Sequence, residues 1–158
     1  MDETPVVTDK VERSYRTHSH KLWRALLLFS GDPDVASDAV AEAFAQALRR
    51  GAEVQDVDRW VWRAAFQIAR GDLQRRSNHE PILDDVAVDV PTETIDLIRA
   101  LATLSPKQSG AIVLHHYAGY SNRETAQILG STTAAVGVHL ERGRKRLRQL
   151  LGDDDDRS

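Results

Sequence analysis

The chain is predicted to be all-α, with two small helical domains of three and four helices joined by a flexible acidic linker. Three observations predict this. Apolar residues recur at helical spacing through most of the sequence, with no convincing period-two run. Ser, Asp and Pro stand where helices should begin, and Gly where helices should end. Charge is unevenly divided: residues 94–152 carry eight basic and three acidic side chains, and residues 79–93 carry five acidic and no basic ones, although the net charge is only −3. With 158 residues, 41% of them apolar, the chain can build one ordinary domain or two small helical ones.

Residues 1–10 read as an N-terminal tail without the cationic start and apolar core of a leader. A first helix is expected over about 11–29, with Tyr15, Leu22, Trp23, Leu26 and Leu27 as its apolar members. Asp32 followed by Pro33 is a cap with proline at the first helical position. The second helix then buries Ala36, Val40, Ala43, Phe44 and Ala47 and ends near Gly51. The third, about 57–76, has one apolar stripe of Val57, Val61, Ala64, Ala65 and Ile68 and a second of Trp62, Phe66, Ala69 and Leu73. A helix apolar on two sides sits between neighbours, here expected to be helices one and two. These helices make up a domain over 11–78.

From Asn78 to Pro91 the periodicity is lost, and 79–91 reads as an acidic linker able to span at most about 50 Å. The second domain, 92–152, opens with a helix over Thr92–Thr103. Ser105-Pro106-Lys107-Gln108 is a capping box opening a fifth helix to about Tyr117. A second box, Ser121-Asn122-Arg123-Glu124, opens a sixth helix that stops at Gly130. Ser131 or Thr132 can cap the seventh, whose apolar face repeats at Val136, Leu140, Gly143, Leu147 and Leu150. Residues 153–158 form an acidic tail, expected to be disordered.

The last two helices carry the clearest chemistry. A short helix, a tight turn and a basic helix make a helix-turn-helix suited to the major groove. The outward arc of the seventh helix holds Ala134, Val138, Glu141, Arg142 and Lys145. Thr132 and Thr133 stand at its N-terminus, where free amides favour phosphate. Arg142 suits a guanine edge and Val138 a thymine methyl, whereas Arg144, Arg146 and Arg148 suit phosphate.

Two further ridges stand out in the first domain. Trp60, Arg63, Gln67, Arg70 and Gln74 share one face of the third helix, combining an aromatic plane, cations and amides. Single-stranded nucleic acid is gripped by that mixture, and a solvated face with Trp60 half-buried is the plainer alternative. Asp34, Asp38, Ala41, Glu42 and Ala45 form an acidic ridge on the second helix. It suits docking on a basic protein surface or is a solvated helix face.

Other classes find no support. There is no cysteine, hence no disulfide, thiolate nucleophile or Cys-ligated zinc. The six histidines lack metal-ligand spacing, and the adjacent His115 and His116 are expected to point apart, one of them partly buried. Neither a phosphate-binding glycine loop nor a nucleophile elbow is present, so no enzyme, metal or cofactor is expected. The Asp153–Asp156 run reads as a solubilising tail rather than a cation site. No segment is apolar enough to span a membrane, and a bacterial cytoplasmic protein fits. A response-regulator effector would need an α/β domain that residues 1–78 do not suggest.

Together these residues resemble the extracytoplasmic-function (ECF) branch of the sigma-70 family, initiation factors of bacterial RNA polymerase. The resemblance covers about 11–151. It rests on Gly31-Asp32-Pro33 leading into Ala36–Phe44, on Trp60–Ala69 with Arg75-Arg76, on Leu104–Gln108, on Ser121–Gly130, and on Ala135-Val136 with His139–Arg144. It implies that the Asp34–Ala45 ridge docks on the polymerase clamp helices, with the flap as a second core contact. It implies that the Gly51–Asp58 loop and the Trp60–Gln74 ridge hold a melted −10 element, and that Thr132–Arg148 reads a duplex −35 element. The linker would thread the polymerase channel, and an anti-sigma protein is a further partner of such factors. Four positions depart from the family pattern: Ala41 replaces a usual Gln, Gln67 an Asn, Gly71 an Asp, and Gly137 a Lys. These leave two alternatives open, a helix-turn-helix regulator without a polymerase role and a degenerate sigma acting only as an interaction module.

Overall fold

The computed structural model describes residues 4–75, 81, 83 and 90–152. The described elements are helical: α1 (Thr4–Ser30), α2 (Pro33–Arg50), α3 (Val57–Arg75), α4 (Thr92–Ala102), α5 (Pro106–Ile112), α6 (Asn122–Leu129) and α7 (Thr133–Leu151). A 3-10 turn at Gly51–Glu53 joins α2 to the loop before α3, and a π-helical turn, Val113–Tyr117, ends α5. The tail 153–158 and most of the linker 79–91 lie outside the described residues.

Local chemistry sets most boundaries. Asp32 caps α2 by accepting from the backbone N–H of Asp34 at 2.9 Å and of Val35 at 3.4 Å. Both capping boxes form, at Ser105/Gln108 and at Ser121/Glu124. Gly130 closes α6 in the left-handed region, at φ 65°, which a side chain would resist. Thr132, not Ser131, caps α7, its hydroxyl accepting from Ala135 N–H at 3.1 Å.

Helix α1 departs from expectation at its start. It begins at Thr4, so residues 4–10 are helical where the sequence suggests a tail. The reason is Val7, one turn before the buried Val11, which packs against the core beside Val54 and Val57. Tyr15 and Trp23 also depart from a simple core role. Tyr15 is half-exposed, its ring edge-on to Phe44 at 5.1 Å, and Trp23 is partly buried with its indole N–H donating to Ser37 Oγ at 3.0 Å.

The two helical units share one continuous core. Helix α3 packs against α1 and α2 as expected, and also against α6 of the second unit. An aromatic series runs across the join: Phe29 to Phe66 at 5.1 Å, Phe66 stacked on Trp62 at 6.1 Å, Trp62 edge-on to Tyr120 at 5.4 Å. Phe29 also reaches the bare face of Gly110, where an added Cβ would lie 2.9 Å from Leu129 Cδ2. Around this apolar join lies a polar seam. Arg59 donates to Glu124 at 3.0 Å and to Gln127 at 3.4 Å, and Lys21 to the carbonyl of Ala118 at 3.3 Å. Two linker residues are docked rather than free: Leu83 is buried, and Pro81 lies against Gly31 at the α1–α2 corner.

Candidate nucleic-acid interface

The α7 arc is assembled as the sequence suggests. Thr133, Ala134, Val138, Glu141, Arg142, Lys145 and Arg146 are exposed, and Val138 keeps 45% of its surface in solvent. The opposite face is anchored by Val136, Leu140 and Gly143. Gly143 is required by close approach, since a Cβ there would stand 3.0 Å from Ile112 Cγ1. Helix α7 therefore lies hard against α5 with its outer side open. Gly137 faces open space, with nothing within 4 Å of a built Cβ. Thr132 is exposed but its hydroxyl oxygen already accepts the capping bond, leaving only its proton to offer a phosphate.

Arg144 and Arg148 are placed differently from the rest. Arg144 reaches His116, Nη1 to Nε2 at 3.3 Å. Both arginines rim an apolar groove of about 490 Å³ floored by Leu97, Leu101, Ile112 and Leu147. The histidines opposite do not point apart. Their rings meet edge to face at 4.9 Å, because the widened π turn and a bond from His115 Nδ1 to the Tyr120 carbonyl (2.8 Å) turn them together. Burial, then His115, then Arg144 lower the His116 pKa, and burial followed by Lys107 and Arg142 lowers that of His139. The cationic forms of His116 and His139 are thus disfavoured.

The α3 ridge is also brought together on one face. Arg63, Gln67 and Gln74 are exposed, Trp60 and Arg70 half-buried. One face of Trp60 is covered by the Arg50 guanidinium, 5.8 Å from the ring centre. Arg70 is drawn inward, with its Nε buried and without a hydrogen-bond partner. The loop before α3 is held by buried Val54 and Val57, and Asp56 caps the helix by accepting from Arg59 N–H at 3.2 Å. Sequence reasoning missed this cap, although Asp56 one residue before Val57 is an ordinary capping signal.

On α2, Asp34, Asp38, Ala41 and Glu42 are exposed and Ala45 is half-buried. Glu42 is not a free charge. Hydrogen bonds from Gln46 and from Arg49, the latter at 2.8 Å, hold its carboxyl below the usual range. The ridge is therefore acidic at Asp34 and Asp38 and close to neutral at its centre. Ala41 and Ala45 also line a groove of about 550 Å³ between α1 and α2, with Tyr15, Trp23, Phe44 and Leu48. Sequence reasoning missed this groove, though Leu48, exposed and off the buried stripe of α2, was a signal for it.

Among the described residues, no group of three His, Cys, Asp or Glu is arranged to hold a metal ion, and no helix is long and apolar enough to cross a membrane. A family model described as sigma-70, region 4, matches residues 94–147. The ECF RNA polymerase sigma factor SigM of Mycobacterium tuberculosis is 29% identical over 150 residues, covering 89% of this chain and 76% of that protein. The RNA polymerase sigma-E factor of Streptomyces avermitilis is 30% identical over 155 residues, covering 91% of this chain and 86% of that protein. Among solved structures, the fold is shared with the Bartonella quintana sigma factor RpoE, solved with the anti-sigma factor NepR, at TM-score 0.74 and 19% identity over 89% of this chain and 96% of that one. It is shared with CnrH, solved with the cytosolic domain of CnrY, at TM-score 0.75 and 23% identity over 96% and 94%.

Proposed function

The chain belongs to the ECF RNA polymerase sigma factors of the sigma-70 family, and we propose from that premise how its surfaces divide the work of promoter-specific initiation. The observation that carries the reading is the simultaneous exposure of three distinct faces on one folded chain: the α2 ridge, the α3 ridge and the α7 arc.

The α2 ridge and its neighbouring groove form the core-polymerase contact, with Asp34 and Asp38 supplying charge and Tyr15, Trp23 and Leu48 apolar area. The arginine-rimmed groove between α4, α5 and α7 is the second core contact, toward the flap. Helix α7 enters the major groove of the −35 element, Arg142 reading a base edge and Lys145 and Arg146 neutralising phosphate. Arg144 contributes to the groove rim first and to phosphate second, given its bond to His116. Across α3, Arg63, Gln67 and Gln74 hold the melted −10 strand, and the open side of Trp60 stacks a base. Strand melting costs a few kcal/mol, offset by these contacts.

This chain acts by binding; the catalytic centre and its metal ions are the polymerase's. Its place of action is the cytoplasm, and an anti-sigma protein is a further partner. The deciding experiment is reconstituted transcription with core polymerase on a genomic promoter library. Transcripts that start only when the chain is added support the reading, and DNA binding without added transcription would leave a helix-turn-helix regulator instead. Trp60→Ala should lower open-complex formation at least fivefold while leaving −35 duplex affinity of the holoenzyme unchanged, measured by permanganate footprinting beside upstream-fork binding.

A further inference from the structure

Helix α7 is divided along its length. Its first nine residues, Thr133–Glu141, hold no Lys or Arg, and its cations all follow from Arg142 onward. His139, in the first half, is half-buried, and burial before all else disfavours its cationic form. Glu141, at the boundary, is the one carboxylate of the helix and would repel a phosphate. The outward crest of this half is therefore small and apolar. Ala134 and Val138 stand exposed one turn apart, with Gly137 on their flank.

The fold itself does not ask for this surface. Of the two glycines in α7, Gly143 is imposed by Ile112, whereas a Cβ on Gly137 would meet nothing within 4 Å. A glycine inside a helix is destabilising relative to Ala, and packing among the described residues does not explain this one. Val138 keeps 45% of its surface in solvent, although a β-branched residue is a weaker helix former than the polar ones that suit an exposed face. A bare stretch of helix beside an exposed methyl pair lets an outside group come close to the backbone.

The surroundings of the patch say what that group is. The patch runs without a break into Arg142, Lys145 and Arg146, all exposed, which suit duplex DNA. At the base edges of the major groove the apolar group on offer is the 5-methyl of thymine. A protein partner would need roughly 800 Å² on each side, far more than three short residues present.

We propose that Ala134, Gly137 and Val138 form a thymine-methyl reader, and that the missing side chain at Gly137 is what determines its specificity. This rests on the promoter-reading function above. Gly137 stands where the family pattern has Lys, so a charged contact is exchanged here for an apolar one. Ala134 and Val138 lie about 6 Å apart along the helix axis, so the patch covers about two base pairs. Arg142 is one further turn along, which sets the thymines within about two base pairs of the guanine it reads.

The test uses the holoenzyme on promoters recovered from the genomic library. Each thymine of the upstream element is replaced in turn by deoxyuridine, which removes the methyl and keeps every hydrogen-bonding group. One or two of these replacements should each weaken equilibrium binding about fourfold, the effect of exposing one methyl. Val138→Ala should shrink that ratio. Gly137→Gln, whose side chain enters open space and crosses the patch, should bring it close to one. Both variants should keep the preference at the Arg142 base pair and the helical circular dichroism of the unmodified chain, which separates lost methyl reading from lost folding. Equal binding of thymine and deoxyuridine elements would overturn the proposal. So would a selected element with no thymine in reach, or a ratio that neither variant alters, as expected if the patch faces a protein. A holoenzyme that selects no upstream element at all would defeat the promoter reading and the methyl reader together.

Discussion

Helix α3 presents its polar ridge from the middle of the molecule, whereas α7 presents its arc from the edge. Helix α3 is gripped by α1, α2 and α6, so only one narrow strip reaches solvent, and two of the five ridge residues are half-buried. Helix α7 is gripped on one side, by α5 and α6 above all, and its arc stands clear. The difference teaches what each surface depends on. The α3 ridge is a product of tertiary packing and should fail when the core fails. The α7 arc is a product of caps, a glycine turn and helix propensity, and should respond to local changes.

The sharpest way to break that contrast is Phe66→Ala. Phe66 is buried where the aromatic series from Phe29 to Trp62 crosses the join. Its loss should cost about 3–5 kcal/mol in denaturant unfolding, in one transition rather than two, because both units share the core. Two separated transitions would show that the units fold independently. Next in size, Arg142→Ala should remove about 1–3 kcal/mol of discrimination at one base pair of the upstream element, read by competition among promoter variants, without altering the melting temperature. Equal weakening across all sequences would reassign Arg142 to phosphate.

Gly137→Ala tests the local side of the comparison directly. Open space surrounds Gly137, so the added methyl meets nothing and the helix should gain about 1 kcal/mol, seen as a rise in thermal midpoint. A fall would mean that α7 is not limited by its own propensity. The smallest effect is at alkaline pH. Burial first, then the charges of Asp58, Glu124 and Asp56, raise the Tyr120 pKa from 10.0 to about 12. Since the raised value favours the neutral phenol, the stabilisation is complete below pH 10 and is lost as pH rises through about 12. Absorbance at the phenolate band should show a late-titrating tyrosine that Tyr120→Phe removes. At the acid end, Glu124 is held below the usual carboxylate range by Ser121 first and then by Arg59, so its contribution is present above that range and is lost as pH falls.

Several elements were legible residue by residue. Asp32-Pro33, the two capping boxes, Gly130 and the 3.6-residue repeats located six of the seven α-helices among the described residues to within a few residues, since caps and periodicity are properties of short segments. The members of the α3 ridge and the α7 arc were equally legible, because helical geometry puts them on one side whatever the rest of the chain does. The early start of α1 was not, as Val7 is a weak signal until Val54 and Val57 stand beside it. Nor was the third neighbour of α3: the stripe containing Trp62 announces burial without saying against what.

By itself, then, the sequence determined the helices, their exposed faces, the charge carried by each and the family likeness. Tertiary structure alone decided that Tyr120 covers Trp62, that Arg59 pairs with Glu124, that Arg144 bends toward His116, and that Leu83 is buried. The physical reason is range. A helix and its faces follow from interactions within about four residues, whereas the pairing of Arg59 with Glu124 joins positions 65 apart, and such contacts exist only when packing brings both ends to the same place.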